Sequence, residues 1–247
     1  MFGLFSKSRS KSAAIDFSVI GTDMHSHILP GIDDGARDLE TSLSLIRGLK
    51  ELGFKKLIAT PHIMWDMYRN TPDIIHEKLD LVREAVAKEG IGVEIEAAAE
   101  YFLDENVERL LEKKEKLLTV QGSKVLVEFS LAYPPMNIKT MLFELQMQGY
   151  QPIIAHPERY TYLQRNKAFY DELRNTGCLF QLNLLALSGH YGKPVTELAL
   201  YLMKNQFYSL VGTDLHHAAH LEGLDGLQVP DSFNKLIDWQ SFANSRL

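Results

Sequence analysis

Seven short apolar runs alternate with seven helical patterns along this 247-residue chain, and that alternation restricts the fold more than any other feature. The runs fall at 21–27, 56–60, 93–99, 124–129, 152–156, 179–184 and 208–213. Helical patterns fall at 38–52, at a segment opened by Thr71-Pro72, and at 105–116, 136–148, 167–175, 194–205 and 232–242. Leu39, Leu43, Ile46, Leu49 and Leu52 make one apolar stripe, with Gly53 as its stop; Ile75, Leu79, Val82 and Val86 make another. Strands alternating with helices predict a parallel sheet joined by right-handed crossovers. Runs such as Leu57-Ile58-Ala59 and Pro152-Ile153-Ile154-Ala155 have no polar side, as strands buried on both faces require. The predicted class is α/β, either a TIM-like barrel or an open doubly wound sheet. No glycine-rich phosphate fingerprint follows the first run, which weighs against a dinucleotide-binding sheet.

The ends of the runs carry the chemistry. The first ends in Asp23-Met24-His25-Ser26-His27, with Asp33-Asp34-Gly35 just beyond. The others end in Thr60-Pro61-His62, Ala99-Glu100, Glu128-Phe129, His156-Pro157-Glu158-Arg159 and Thr213-Asp214-Leu215-His216. In a parallel barrel these carboxyl ends converge on one face, where such barrels place their active sites. Residues i and i+2 of a strand point the same way, so His25 with His27, and Asp214 with His216, can reach one cavity. His25, His27, Asp34, His62, Glu100, Glu128, His156, Asp214 and His216 are the candidate metal ligands. The set has no thiolate and suits hydrolytic sites for manganese, iron or zinc. It is also too large for one ion. Two or three ions about 3.5–4 Å apart could polarise an ester oxygen and activate a water between them.

Lys and Arg total 26 against 32 Asp and Glu, a formal charge of -6. That balance argues against a non-specific nucleic-acid binder. It permits an anionic substrate: three divalent ions among the four candidate carboxylates leave the cavity at about +2, and Arg159 adds one more. The lone cysteine, Cys178, excludes an intrachain disulfide and fits a reducing compartment, so a cytoplasmic protein is expected. No stretch of about 18 apolar residues predicts a transmembrane helix. Residues 1–17 read as a loose tail and 18–247 as a single domain. Phe2, Leu4 and Phe5 beside Lys7, Arg9 and Lys11 could touch an anionic membrane, though a disordered terminus is the simpler reading.

Taken together, these motifs resemble the PHP (polymerase and histidinol phosphatase) superfamily. Within it, the likeness is to the CpsB-like bacterial protein-tyrosine phosphatases of capsule and exopolysaccharide systems, and it spans residues 21–217. The resemblance implies a distorted TIM-like (β/α)7 barrel with a trinuclear site, most often of manganese. It implies that His25, His27, Glu100 and Asp214 hold one ion, and that Glu100, Glu128 and His156 hold a second. A third would sit on Asp34, His62 and His216. Arg159 would contact the phosphate, and a hydroxide bridging the ions would attack phosphorus. The implied substrate is a phosphotyrosyl protein, the autophosphorylated membrane-associated kinase of polysaccharide export, bound at a shallow cleft. Self-association is left open.

The alternative function is a small-molecule phosphomonoesterase of the histidinol-phosphatase type; a regulatory module with structural metals is a third. Cysteine-based phosphatase chemistry fails, because the position six after Cys178 is Leu184, not arginine. Asp33 is not counted as a ligand. Asn183, His190, Lys193, Trp65, Met67 and Tyr68 follow strand ends and are possible substrate contacts, while His76, His217 and His220 read as solvent-exposed.

Overall fold

A computed structural model describes residues 15–247. The tail residues Phe2 to Lys11 fall outside the described residues. Ahead of the barrel, a 3-10 turn at Phe17–Val19 buries Phe17 against Phe54, ring centroids 5.4 Å apart.

Among the described residues, nine strand segments form seven staves. They are β1 (Thr22–Ser26), β2 (Lys56–Ala59), β3 (His62–Ile63), β4 (Glu94–Ala97), β5 (Glu100–Phe102), β6 (Lys124–Glu128), β7 (Gln151–Ile154), β8 (Leu179–Asn183) and β9 (Leu210–Gly212). All ladders are parallel; one sheet runs β1-β2-β4 and the other β3-β5-β6-β7-β8-β9. The expected runs at 56–60 and 93–99 therefore each continue into a second segment. Pro61 has no N–H to offer a ladder, and Glu100 N donates to its carbonyl (3.1 Å), so pairing resumes one step over, His62 beside Glu100. The ring closes between β9 and β1. Asp214 N donates to His25 O (2.8 Å), and His27 N donates to Leu215 O (2.9 Å).

The helices follow their stripes. In α1 (Leu39–Glu51), Asp38 caps the start by accepting from Thr41 N, and Leu43, Ile46 and Leu49 are buried. In α2 (Pro72–Lys88), Thr71 is the cap, proline opens the first turn, and Ile75, Leu79, Val82 and Val86 are buried as their spacing predicts. Then come α3 (Glu105–Glu112), α4 (Ile138–Met147), α5 (Ala168–Asn175) and α6 (Lys193–Lys204). Two departures follow. The segment after His216 is not loop: α7 (Ala218–Leu224) begins directly after His217. The expected helix at 232–242 shrinks to α8 (Asp231–Asn234) and two 3-10 turns, Trp239–Ser241 and Ala243–Arg246. The reason is tertiary. Asn244 is buried at the barrel seam, where its amide donates to Thr22 O (2.9 Å) and Val211 O (2.7 Å) and accepts from Val211 N (3.0 Å). The backbone leading to those bonds is extended at Asp238 and Phe242, inside the expected helix.

The barrel interior is layered. Met24, Ile58, Ala98, Leu126, Ile153 and Leu210 form a small apolar cluster separate from the large core that includes the buried helix faces. Two residues further along the same inward rows stand Glu100 after Ala98, Glu128 after Leu126 and Gly212 after Leu210. An apolar floor thus supports a polar mouth. Among the described residues, no helix is long and apolar enough to cross a membrane.

Candidate metal centre and active site

All nine candidate ligands lie together at the carboxyl ends of the staves. Glu100 is at the centre and fully buried. Its carboxylate oxygens are 3.2 Å from His25 Nε2, 3.2 Å from His62 Nδ1, 3.2 Å from His156 Nε2 and 3.4 Å from His27 Nε2. Glu128 lies 3.5 Å from His156 Nε2 and 3.8 Å from His62 Nδ1. Asp34 Oδ1 is 3.5 Å from both His62 Nε2 and His216 Nε2. Asp214 Oδ1 is 3.4 Å from His25 Nε2 and 3.5 Å from His27 Nε2.

The local backbone explains how they meet. His156 (φ 30°) and Asp214 (φ 51°) take left-handed conformations just past their strands, turning their side chains into the mouth. Such strain costs about 1–3 kcal/mol per residue and persists only where the surroundings enforce it. Two glycines make room. A Cβ at Gly35 would meet His27 O at 2.0 Å, so the Asp33-Asp34-Gly35 turn can fold over His27 only with glycine there. A Cβ at Gly212 would meet His25 Cβ at 2.7 Å.

Outer partners aim the imidazoles. His25 Nδ1 donates to Gln181 Oε1 (2.9 Å), which also accepts from His156 N. His27 Nδ1 donates to Asp33 Oδ2 (2.8 Å), and His216 Nδ1 to the Asp214 carbonyl (2.9 Å). With Nδ1 protonated, each presents the lone pair of Nε2 to the cavity, the usual arrangement for a metal-binding histidine. Asp33 therefore lies behind a candidate ligand. Gln181 was missed in the sequence; its signal was a polar side chain in a run that is apolar except for it and Asn183.

The cluster fits divalent cations. Both Glu100 oxygens, His62 Nδ1 and His156 Nδ1 are buried with no hydrogen-bond partner, which is costly unless something else satisfies them. Ligand atoms about 2.0–2.2 Å from one ion lie roughly 3.0–3.6 Å from each other, and the separations here are of that size. Four groups have their ligand atoms within 4.8 Å of one another: His27, Asp34, His62 and His216; His25, His27 and Glu100; His25, His156 and Asp214; His62, Glu100 and Glu128. Protonation is unevenly distributed. Burial opposes ionisation of Glu100 and Asp214, yet the facing imidazoles, His25 foremost, hold both well below the usual carboxylate range. Burial, and then the Glu100 charge, push Glu128 well above it. Burial and the neighbouring His27 bring His62 down to about 4. A positive charge among these groups would relieve the repulsion between Glu100 and Glu128 and would suit a neutral His62.

Above the cluster opens a cleft of about 500 Å³. Arg159 lines it, with one guanidinium nitrogen donating to Asp214 Oδ2 (2.9 Å) and the group seated 4.8 Å from the Tyr191 ring centroid. Met64, Met67, Tyr68, Phe102, Phe129 and Leu131 give the cleft its apolar lining. Tyr68 stacks on His62. His217 and His220, at the start of α7, both line the cleft; His217 is exposed there as expected, and His220 is half-buried. Trp65 does not line the cleft; its main-chain N–H donates to Asp104 Oδ2, and its ring lies within 6 Å of the Arg69 and Arg109 guanidinium groups (5.8 and 5.7 Å). Lys193 is exposed and pairs with Glu197, and His76 lies exposed on α2. Cys178 is buried outside the site.

Residues 21–222 match the family described as "Capsular polysaccharide synthesis, CpsB/CapC". The chain is 31% identical over 195 residues to tyrosine-protein phosphatase YwqE of Bacillus subtilis, covering 79% of this chain and 77% of that one. It is 31% identical over 201 residues to tyrosine-protein phosphatase CpsB of Streptococcus pneumoniae, covering 79% and 82%. A crystal structure from the pair YwqE and CpsB, described as unique metal-dependent tyrosine phosphatases, superposes with a TM-score of 0.75 at 28% identity, over 87% of this chain and 90% of the other. With its barrel and its mouth of histidines and carboxylates, this chain belongs to the CpsB/CapC family.

Proposed function

We propose that this protein is a divalent-metal-dependent protein-tyrosine phosphatase of capsule or exopolysaccharide synthesis. The observation that carries the reading is Glu100: a fully buried carboxylate, without a hydrogen bond, among three imidazole nitrogens at 3.2 Å. In this reading His25, His27, Asp34, His62, Glu100, Glu128, His156, Asp214 and His216 hold three ions, Mn2+ in the first place, with Fe or Zn as substitutes. Bound cations would supply charge for the phosphate oxygens and lower the pKa of a water nucleophile. The chain's residues do the rest. Arg159 offers guanidinium hydrogen bonds to the phosphate oxygens, strengthening as charge shifts in the transition state. The half-buried rings of Tyr68 and Phe102 receive the tyrosine ring and shield it from water.

The substrate in this reading is a phosphotyrosyl protein, a membrane-associated kinase of the same system. An open cleft with an aromatic wall supports it over a small phosphomonoester. The phosphatase unit is the domain expected at residues 18–247, extended at its start to include Phe17, which packs on Phe54, and it works in the cytoplasm. The test is hydrolysis of a phosphotyrosyl peptide against histidinol phosphate. Activity should vanish with chelator, return with Mn2+ and favour the peptide. Full turnover by metal-stripped protein would refute the reading, and preference for histidinol phosphate would replace its substrate.

A further inference from the structure

We infer that Asn183 is a positioning residue that ties the metal-binding face of the mouth to its phosphate-binding face. The inference rests on the metal-dependent reading above. Asn183 ends β8 and is fully buried, and each of its polar groups has a specific use. Its side-chain oxygen accepts from Leu185 N (2.9 Å), which fixes the amide orientation. The Nδ2 group then donates to Asp214 Oδ2 (2.9 Å) and to Tyr191 Oη (3.1 Å). Its main-chain N–H donates to Glu158 Oε1 (2.8 Å), whose other oxygen accepts from Tyr208 Oη (2.9 Å).

The consequence lies in Asp214. Its Oδ2 accepts from both Asn183 and Arg159, so its Oδ1 is turned to His25, His27 and His216 at 3.4–3.5 Å. When a phosphate draws Arg159 toward it, Asn183 remains to hold Oδ2, and the orientation of Oδ1 survives substrate binding. Tyr191 serves the other side. Its hydroxyl is held by Asn183, and its ring seats the Arg159 guanidinium. The nearest substitutes do not fit this post. Aspartate would set one carboxylate against another, serine has a single proton to give, and glutamine is one methylene too long to keep the Leu185 bond.

The test uses two variants of the full-length protein. Mn2+ is titrated calorimetrically into metal-stripped protein, and inorganic phosphate is measured as an inhibitor of phosphotyrosyl-peptide hydrolysis by Mn2+-loaded protein. Asn183→Leu should weaken Mn2+ binding about 10–100-fold, the usual loss on removing a partner behind a ligand, and should also raise the phosphate inhibition constant. Tyr191→Leu should raise that constant several-fold and leave the Mn2+ isotherm as in the unaltered protein. A merely structural role for Asn183 would change stability without this split. Unaltered Mn2+ affinity in a folded Asn183→Leu protein, or an unaltered inhibition constant in Tyr191→Leu, would overturn the inference while leaving the phosphatase reading intact. Should Asn183→Leu not fold, the Tyr191→Leu result decides. If unmodified protein takes up no Mn2+, the metal-dependent reading fails and this inference falls with it.

Discussion

The two ends of the barrel are built on opposite principles. At the floor, apolar side chains such as Met24, Ile58, Leu126 and Leu210 pack together, and a buried amide, Asn244, satisfies three main-chain groups. At the mouth, four atoms of His62, Glu100 and His156 are buried with no hydrogen-bond partner, and two strand ends are held in left-handed conformations. One end minimises its own free energy. The other keeps unsatisfied groups in place, which is tolerable because the floor and the helical layer enforce the geometry. Substitutions at the mouth should therefore alter chemistry more than folding, and those at the floor the reverse.

The largest effect should come from Glu100→Gln. Turnover is expected to fall by about 10³-fold or more, as for loss of a core electrostatic element, and Mn2+ stoichiometry should drop; circular dichroism should still report a folded barrel. Activity within tenfold of the unaltered protein would break the comparison at its centre. Arg159→Ala follows, with a loss of about 10²–10³-fold in kcat/KM, the usual cost of one transition-state donor, and bound Mn2+ near its full stoichiometry. An unchanged rate would remove Arg159 from phosphate binding.

The floor gives the converse. Asn244→Ala leaves Thr22 O and both main-chain groups of Val211 without these bonds. Denaturant unfolding should show a loss of about 2–4 kcal/mol, with kcat within twofold; a large fall in kcat at unchanged stability would mean the seam serves the mouth directly. The smallest effect concerns Cys178. Burial pushes its thiol above the ordinary range, so less thiolate is present at any given pH and the reactive form is favoured only as pH rises further. Alkylation at pH 8 should be slow in native protein and fast in denatured protein, without effect on activity. Fast native labelling would contradict its burial.

Much of this was legible in the chain. Periodicity located the staves, because burial on both faces leaves no polar side, and the residues closing each run marked the mouth. His25, His62, Glu100 and Asp214 were all found by that rule. The rule failed where the structure is not periodic. The breaks between β2 and β3 and between β4 and β5 come from ladders changing partners, and the helix expected at 232–242 gave way to the bonds of Asn244.

Local pattern reports which way a side chain faces, since strand and helix repeats are properties of neighbouring residues. It says nothing of what waits opposite. Gln181 lies 156 positions from His25, Asp23 lies 190 from Thr213, and Asn244 lies 222 from Thr22. Such pairs form only when the barrel closes. The inventory of reactive groups was thus written in the linear chain. Their tautomers, orientations and unsatisfied atoms came from closure of the ring, because each depends on a partner that sequence distance hides.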